Sequence, residues 1–177
     1  MKATGVVRRM DELGRVVIPK EVRRSFRIKE GTPLEVFTNR NGEIILKKYA
    51  PVKEIEAFAG EYVAALHAGL SMPALICDLD VYIAAAGETE DVYLGKDIHD
   101  VVRTAMHSDK STRSIVNGHC ILATKDEKIH SYAITPIIAN EEVIGAIVVF
   151  SKDTEITQIE LSSMEIAASF IGSQLTL

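Results

Sequence analysis

Arginine arrives in three clusters near the start of the chain: Arg8-Arg9, Arg15 and Arg23-Arg24, with Lys20 just ahead of the last. A guanidinium is a planar fork that can chelate a phosphate or the acceptor edge of guanine, whereas a lysine acts more as a point charge. Residues 1–53 hold 13 Lys+Arg against 6 Asp+Glu, a net of +7, and residues 54–177 hold 7 against 19, a net of −12. The overall charge of −5 therefore conceals a basic module joined to an acidic one. That asymmetry describes a polyanion-binding head on a body that stays off the polyanion. In a regular strand Arg8 and Arg9 point to opposite faces, so only one of them meets the polyanion unless the strand is bulged. The competing reading is a solvated basic face neutralised by Glu12, Glu21 and Glu35.

Other chemistry finds little footing. The histidines (His67, His99, His107, His119 and His130) and the two cysteines, Cys77 and Cys120, show no Cys-x-x-Cys, no His-Glu-x-x-His and no clustered metal-ligand spacing. No metal and no cofactor are expected. The glycines sit singly at turns, and none opens a phosphate-binding loop. Asp78 and Asp80 flank Leu79 between two strands, which is the pattern of a hairpin turn rather than of an acid/base pair. The chain is expected not to be an enzyme. Two widely separated cysteines, no apolar stretch of signal-peptide length behind Met1, and no apolar run near the roughly 20 residues of a spanning helix point to a reduced cytoplasm and no membrane partner.

The elements that must carry the arginines read as a small β module. Ala3 to Arg9 and Arg15 to Ile18 have strand composition around the turn Asp11-Glu12-Leu13-Gly14. Pro19 then opens a short helix over Lys20 to Phe26, with Val22 and Phe26 four apart. Leu34 to Thr38 and Glu43 to Tyr49 alternate on either side of Asn39-Arg40-Asn41-Gly42, where Asn-Gly is expected to supply the positive φ angles of a tight hairpin. Fifty such residues bury only about 60% of their unfolded surface, so the head is expected to share a core with a second copy. Two-fold pairing would present the same side chains to two half-sites of duplex DNA.

Beyond Ala50-Pro51 the periodicity turns helical from about Lys53 to His67. Strands are expected over Ala74 to Asp78 and Val81 to Ala86, then a helix from Ile98 to Met106, strands over Arg113 to Asn117 and His119 to Ala123, and a hairpin of Ser131 to Ile138 with Glu142 to Ser151. A last helix runs from Thr154 to Leu175. The order αββαβββα gives a mixed α+β domain with one antiparallel sheet flanked by helices. The last helix carries two apolar stripes, one through Ile156, Ile159, Ile166 and Phe170, the other through Leu161, Met164, Ala168, Ile171 and Leu175. They lie about 200° apart, so one face is left over for a partner subunit once the other has packed on the sheet. The resulting division is a head over 1–50, a connecting helix over 51–70 and a sensing and oligomerisation domain over 71–177.

The string from Gly5 to Lys48, with Asp11-Glu12-Leu13-Gly14-Arg15-Val16-Val17-Ile18-Pro19 at its heart, Glu21-Val22-Arg23-Arg24 behind it and Ile44-Ile45-Leu46-Lys47-Lys48-Tyr49 at its end, resembles the AbrB-type transition-state regulator domain. The resemblance implies a dimeric, all-β swapped-hairpin barrel that binds double-stranded DNA. It implies contacts by Arg8, Arg15, Arg23 and Arg24, with Arg9 and Lys20 as further basic positions. Tolerance of varied, often A·T-rich sites would fit reading through phosphates and deformability. With its second domain, the whole chain is similar to the sporulation transcription regulators of that family, located with the nucleoid in the cytoplasm.

The second domain resembles a GAF domain, which implies an oligomerisation module, a small-molecule effector, or both. Its polar candidates are Tyr82, Tyr93, His99, Arg103, His107, Arg113 and Cys120. Arg103 and His107, four apart, would share a helix face able to receive an anion or simply lie solvated. Pairing of second domains is expected to join two dimeric heads into a homotetramer. Two rival functions are an antitoxin, which shares the head fold but ends in a short acidic tail, and a GAF-type methionine sulfoxide reductase using Cys120 beside His119. Against the latter stands ordinary packing of a cysteine among Ile121, Leu122 and Ala123.

Overall fold

The computed structural model describes residues 5–49, 56–87, 90–108, 110–124 and 126–175. The chain forms two compact units, Met1–Tyr49 and Ala50–Leu177.

In the first unit, helix α1 (Lys20–Ser25) follows Pro19, and strands β1 (Leu34–Thr38) and β2 (Ile44–Lys48) pair antiparallel. Their turn differs from the expected one. Only Gly42 has a positive φ, 77°, with its N–H donating to the Asn39 carbonyl at 3.2 Å and Asn39 N–H donating to the Glu43 carbonyl at 3.2 Å. This is a longer loop closed by one left-handed glycine, because Asn39 Oδ1 accepts from the Asn41 and Glu43 amides and fixes the first half of the turn. The strands expected over 3–9 and 15–18 are also corrected: residues 5–9 and 15–18 belong to no ladder, and 3–4 lie outside the described residues. The Asp11–Arg15 turn between them does form, with Asp11 N–H donating to the Arg15 carbonyl and Gly14 N–H to the Asp11 carbonyl, both at 3.0 Å. A ladder needs a facing strand, and neither β1 nor β2 supplies one. No described residue of this unit is buried, and Val7, Leu13, Val17 and Ile44 are each more than two-thirds exposed.

The second unit is built on one antiparallel sheet ordered β4-β3-β7-β6-β5, from β3 (Ala74–Cys77), β4 (Tyr82–Ala86), β5 (Thr112–Ile121), β6 (Asp126–Ala139) and β7 (Glu142–Ser151). Helices α2 (Glu56–Leu70), α3 (Glu90–Tyr93), α4 (Asp100–His107) and α5 (Gln158–Gln174) complete it. The start of α2 expected at 53–55 falls outside the described residues. Successive strand residues serve opposite cores: Ile76, Ala133, Ile147 and Val149 face Val63 of α2 and Met164 and Ile171 of α5, while Leu75, Ile134, Val148 and Phe150 face Tyr93 of α3 and Val102 and Met106 of α4. Burial on both faces is why these strands read as continuous apolar runs.

Several boundaries differ from the sequence reading. The expected break near Asn117 is a bulge between Ile115 and Gly118 inside one strand, β5. The one-turn α3 carries too little periodicity to be read. Helix α5 starts at Gln158 rather than Thr154 because the preceding backbone is spoken for: Ser131 Oγ donates to the Thr154 carbonyl and accepts from Ile156 N–H, and Arg113 Nη1 donates to the Ile156 carbonyl. Thr157 then caps the helix in a capping box with Glu160. The Thr157 hydroxyl holds the Glu160 carboxyl below its ordinary range. Thr157→Ala should cost about 1 kcal/mol in thermal unfolding. A depressed carboxylate stabilises above its unfolded value, so this contribution should fade only as pH falls below the usual carboxylate range. Ile156, grouped by the sequence in one stripe with Ile159, Ile166 and Phe170, precedes the helix and is buried, whereas the other three remain exposed at 76%, 73% and 51%.

Candidate nucleic-acid interface

The basic residues of the first unit lie on two local structures. Asp11 organises the first. Its Oδ1 accepts from the Leu13 and Arg15 amides at 3.0 and 2.8 Å, and its Oδ2 accepts from Arg15 Nε at 2.7 Å. These bonds from Arg15 hold the Asp11 carboxyl below its ordinary range. Arg8 and Arg9 flank this turn, and Arg8 Nη1 donates to the Val7 carbonyl at 3.1 Å.

The second is α1, which carries Lys20, Arg23 and Arg24. It ends in a reverse turn in which Arg27 takes φ 53°, Arg27 N–H donates to the Arg24 carbonyl and Ile28 N–H to the Arg23 carbonyl at 2.7 Å. That pairing satisfies the last carbonyls without using a side chain, so the Arg23 and Arg24 guanidiniums stay outside. Arg8, Arg9, Arg15, Lys20, Arg23 and Arg24 are all exposed. Among the described residues no ion pair joins any of these six to Glu12, Glu21 or Glu35, and Arg15 pairs with Asp11. The sequence places Asp11 at the head of this turn, but its bonds to the Arg15 amide and Nε were not expected from it.

In the second unit the candidate polar groups do not converge on one spot. Tyr82 and Tyr93 are buried in contact, rings 5.3 Å apart, in the core beneath α3 and α4. The Tyr82 hydroxyl donates to the Leu122 carbonyl at 2.8 Å and the Tyr93 hydroxyl to Glu127. Burial pushes both phenols well up. Cys120 is half-buried at the edge of the same core, and burial raises its thiol; Cys77, wholly buried, is pushed up to about 12. His99 caps α4. Arg103 Nη1 donates to the Leu79 carbonyl at 3.0 Å and faces Asp80 and Asp100 at 3.8 and 4.0 Å, so an incoming anion would compete with two carboxylates. His107 Nδ1 lies 2.7 Å from the Arg103 carbonyl, and Arg113 reaches the segment before α5 instead. Asp78 Oδ1 accepts from the Asp80 and Val81 amides, which makes the Asp78–Asp80 pair a turn. No group of three or more His, Cys, Asp or Glu among the described residues is arranged to hold a metal, and no described helix is long and apolar enough to cross a membrane.

Residues 54–176 match the family model for the stage V sporulation protein T C-terminal domain, a transcription factor. Along 99% of both chains, the sequence is 48% identical to stage V sporulation protein T of Bacillus subtilis. The chain belongs to the stage V sporulation protein T family. The family's head is the AbrB-like module: residues 7–54 match the model for the MazE bacterial antitoxin, which recognises its toxin, and 51 residues are 57% identical to the transition state regulatory protein AbrB of B. subtilis, covering 29% of this chain and 52% of that one. The family's body has the GAF fold. It resembles the GAF domain of an Acinetobacter phosphoenolpyruvate-protein phosphotransferase (TM-score 0.58, 14% identity, 71% of this chain and 87% of that one). It also resembles a type II free methionine-R-sulfoxide reductase from Thermoplasma acidophilum (TM-score 0.55, 14% identity, 68% and 94%). At such identities the likeness is one of fold. The AbrB-like head and the GAF-like body expected from the sequence are both present, in a sporulation transcription regulator.

Proposed function

We propose that this regulator grips duplex DNA with Arg8, Arg15, Arg23 and Arg24, assisted by Arg9 and Lys20, on a head completed by a second copy of the chain. The observation that carries the reading is a first unit with no buried residue among those described and a set of exposed guanidiniums, none of them paired with a described glutamate of the head. Apolar side chains such as Val7, Leu13 and Val17 do not stay in water when a copy of the same chain can cover them, and a swapped-hairpin dimer does so while giving residues 5–9 and 15–18 strands to pair with. The division into a head over 1–50, a connector over 51–70 and a body over 71–177 belongs to this proposal. So does a cytoplasmic, nucleoid-associated location.

Exposed arginines can be removed at little cost to the fold. Arg23→Ala and Arg24→Ala should each leave thermal unfolding unchanged and weaken DNA binding, by about 1–3 kcal/mol where the contact is to a base. Fluorescence anisotropy across a salt series checks this, since each lost phosphate contact lowers the log–log salt slope by about 0.9. Unchanged affinity and slope in both variants would remove the contact assignment.

The body pairs with another body through the exposed stripe of α5, with the exposed Phe58 of α2 as a further apolar contact, and so joins two heads in a tetramer. An effector would act by favouring one arrangement of paired bodies. Its candidate contacts are Tyr82, Tyr93, His99, Arg103, His107, Arg113 and Cys120. The reading is of a non-enzyme. A cysteine whose thiol is raised by burial keeps little nucleophilic thiolate at neutral pH. Cys120→Ser should therefore leave DNA binding and assembly intact. The antitoxin reading is disfavoured because the region where a toxin-wrapping tail would lie is a five-stranded folded unit.

A further inference from the structure

The Asp11 carboxylate sits in the middle of the basic head, where simple electrostatics makes it a liability. A negative charge beside a phosphate-binding surface repels the duplex. Yet Asp11 is 42% exposed at its side chain, and its closest partner is the 71% exposed Arg15. Its two oxygens do separate jobs. Oδ1 holds the backbone of the turn through the Leu13 and Arg15 amides, and Oδ2 takes the Arg15 Nε–H.

A guanidinium has five N–H donors in a fixed fork. With Nε engaged at 2.7 Å, the side chain cannot swing through its full rotamer range, and the terminal edge between the two Nη nitrogens is left for a further partner. A long exposed arginine otherwise loses considerable rotamer entropy when it binds. Anchoring the backbone amide and Nε of the same residue to one carboxylate meets part of that cost before DNA arrives.

We propose that Asp11 is a positioning residue for DNA binding, clamping Arg15 so that its terminal guanidinium nitrogens face the duplex as one bidentate fork. The inference rests on Arg15 being a DNA contact, as set out above. It also inverts the Coulomb expectation: deleting this negative charge should weaken binding to a polyanion.

The test is a double-mutant cycle in the full-length chain, using a labelled A·T-rich duplex at fixed low salt. Asp11→Asn keeps an oxygen for the two amides and loses the charge-assisted bond to Nε. Arg15→Ala should weaken binding roughly five- to 150-fold. Asp11→Asn should weaken it about three- to tenfold in the parent, a charge-assisted bond having been lost. In the Arg15→Ala background Asp11→Asn should have no weakening effect. If Asp11→Asn tightens binding or leaves it unchanged in the parent, the carboxylate acts only through its charge and the positioning role is wrong. Equal weakening in both backgrounds would mean that Asp11 supports the turn and not the arginine, which also overturns it. Arg15→Ala binding as tightly as the parent would instead overturn the contact assignment beneath it.

Discussion

Gly172→Ala should unfold the second unit at markedly lower temperature, although alanine is the better helix former. Gly172 lies in the last turn of α5, and a Cβ built there would sit 2.1 Å from the Ile138 carbonyl oxygen and 3.1 Å from its carbon. Those atoms are strand backbone at the end of β6, just before the 139–142 hairpin, and they cannot rotate away. Removing a helical glycine gains about 1 kcal/mol in propensity. Overpacking against an immovable group costs about 3 kcal/mol or more, so the net sign is destabilising. The expected fall in Tm is on the order of 10 °C. Gly60 in α2 supplies the control, because a Cβ there meets nothing within 4 Å. Gly60→Ala should raise Tm by a few degrees, consistent with about 1 kcal/mol gained. Differential scanning calorimetry on the two variants reads opposite signs; equal signs would mean that α5 does not lie this close to β6.

Ile166→Glu addresses assembly. On a lone body Ile166 is 73% exposed, and a surface substitution there should change stability by no more than about 0.5 kcal/mol. Within a body–body interface the same change buries an unpaired charge between the Ile159, Ile166 and Phe170 stripes of two helices. The expected result is a chain that keeps its folded body, with the concentration dependence of its Tm lost, and whose assembly halves in analytical ultracentrifugation. DNA affinity should fall by about 10²-fold or more, because two linked heads lose their mutual effective concentration. An unaltered sedimentation coefficient and unaltered affinity would remove both the interface and the avidity argument.

The fold was legible where periodicity and turn chemistry act within a few residues. The helix after Pro19, the hairpins at 39–43 and 140–141, and the two faces of α5 follow from such signals. The second hairpin turns through Asn140 and Glu141, both with positive φ, at 50° and 66°, although Asn41-Gly42 was the pair with the expected chemistry for that turn. Register decided it: Ala139 pairs with Glu142 and leaves a two-residue loop, while Thr38 pairs with Ile44 and leaves five. The start of α5 was misread because Ser131 and Arg113, distant in sequence, hold the backbone at 154–156. The strands expected over 3–9 and 15–18 were misread for the opposite reason, since among the described residues of one copy nothing pairs with 5–9 or 15–18. The exposed basic positions were legible from charge and spacing, but the Asp11–Arg15 bonds were not, because a segment's net charge does not say which of its six carboxylates meets which guanidinium.

A first unit with no buried residue among those described has a bearing on dosage. If its strands order only against those of a second copy, the grip on DNA scales with the square of the number of chains present until pairing saturates. Scarce chains would leave promoters almost untouched, and a modest rise in synthesis would switch occupancy on sharply. Timing of the response would then be set by how fast the cell makes this protein, before any metabolite is consulted.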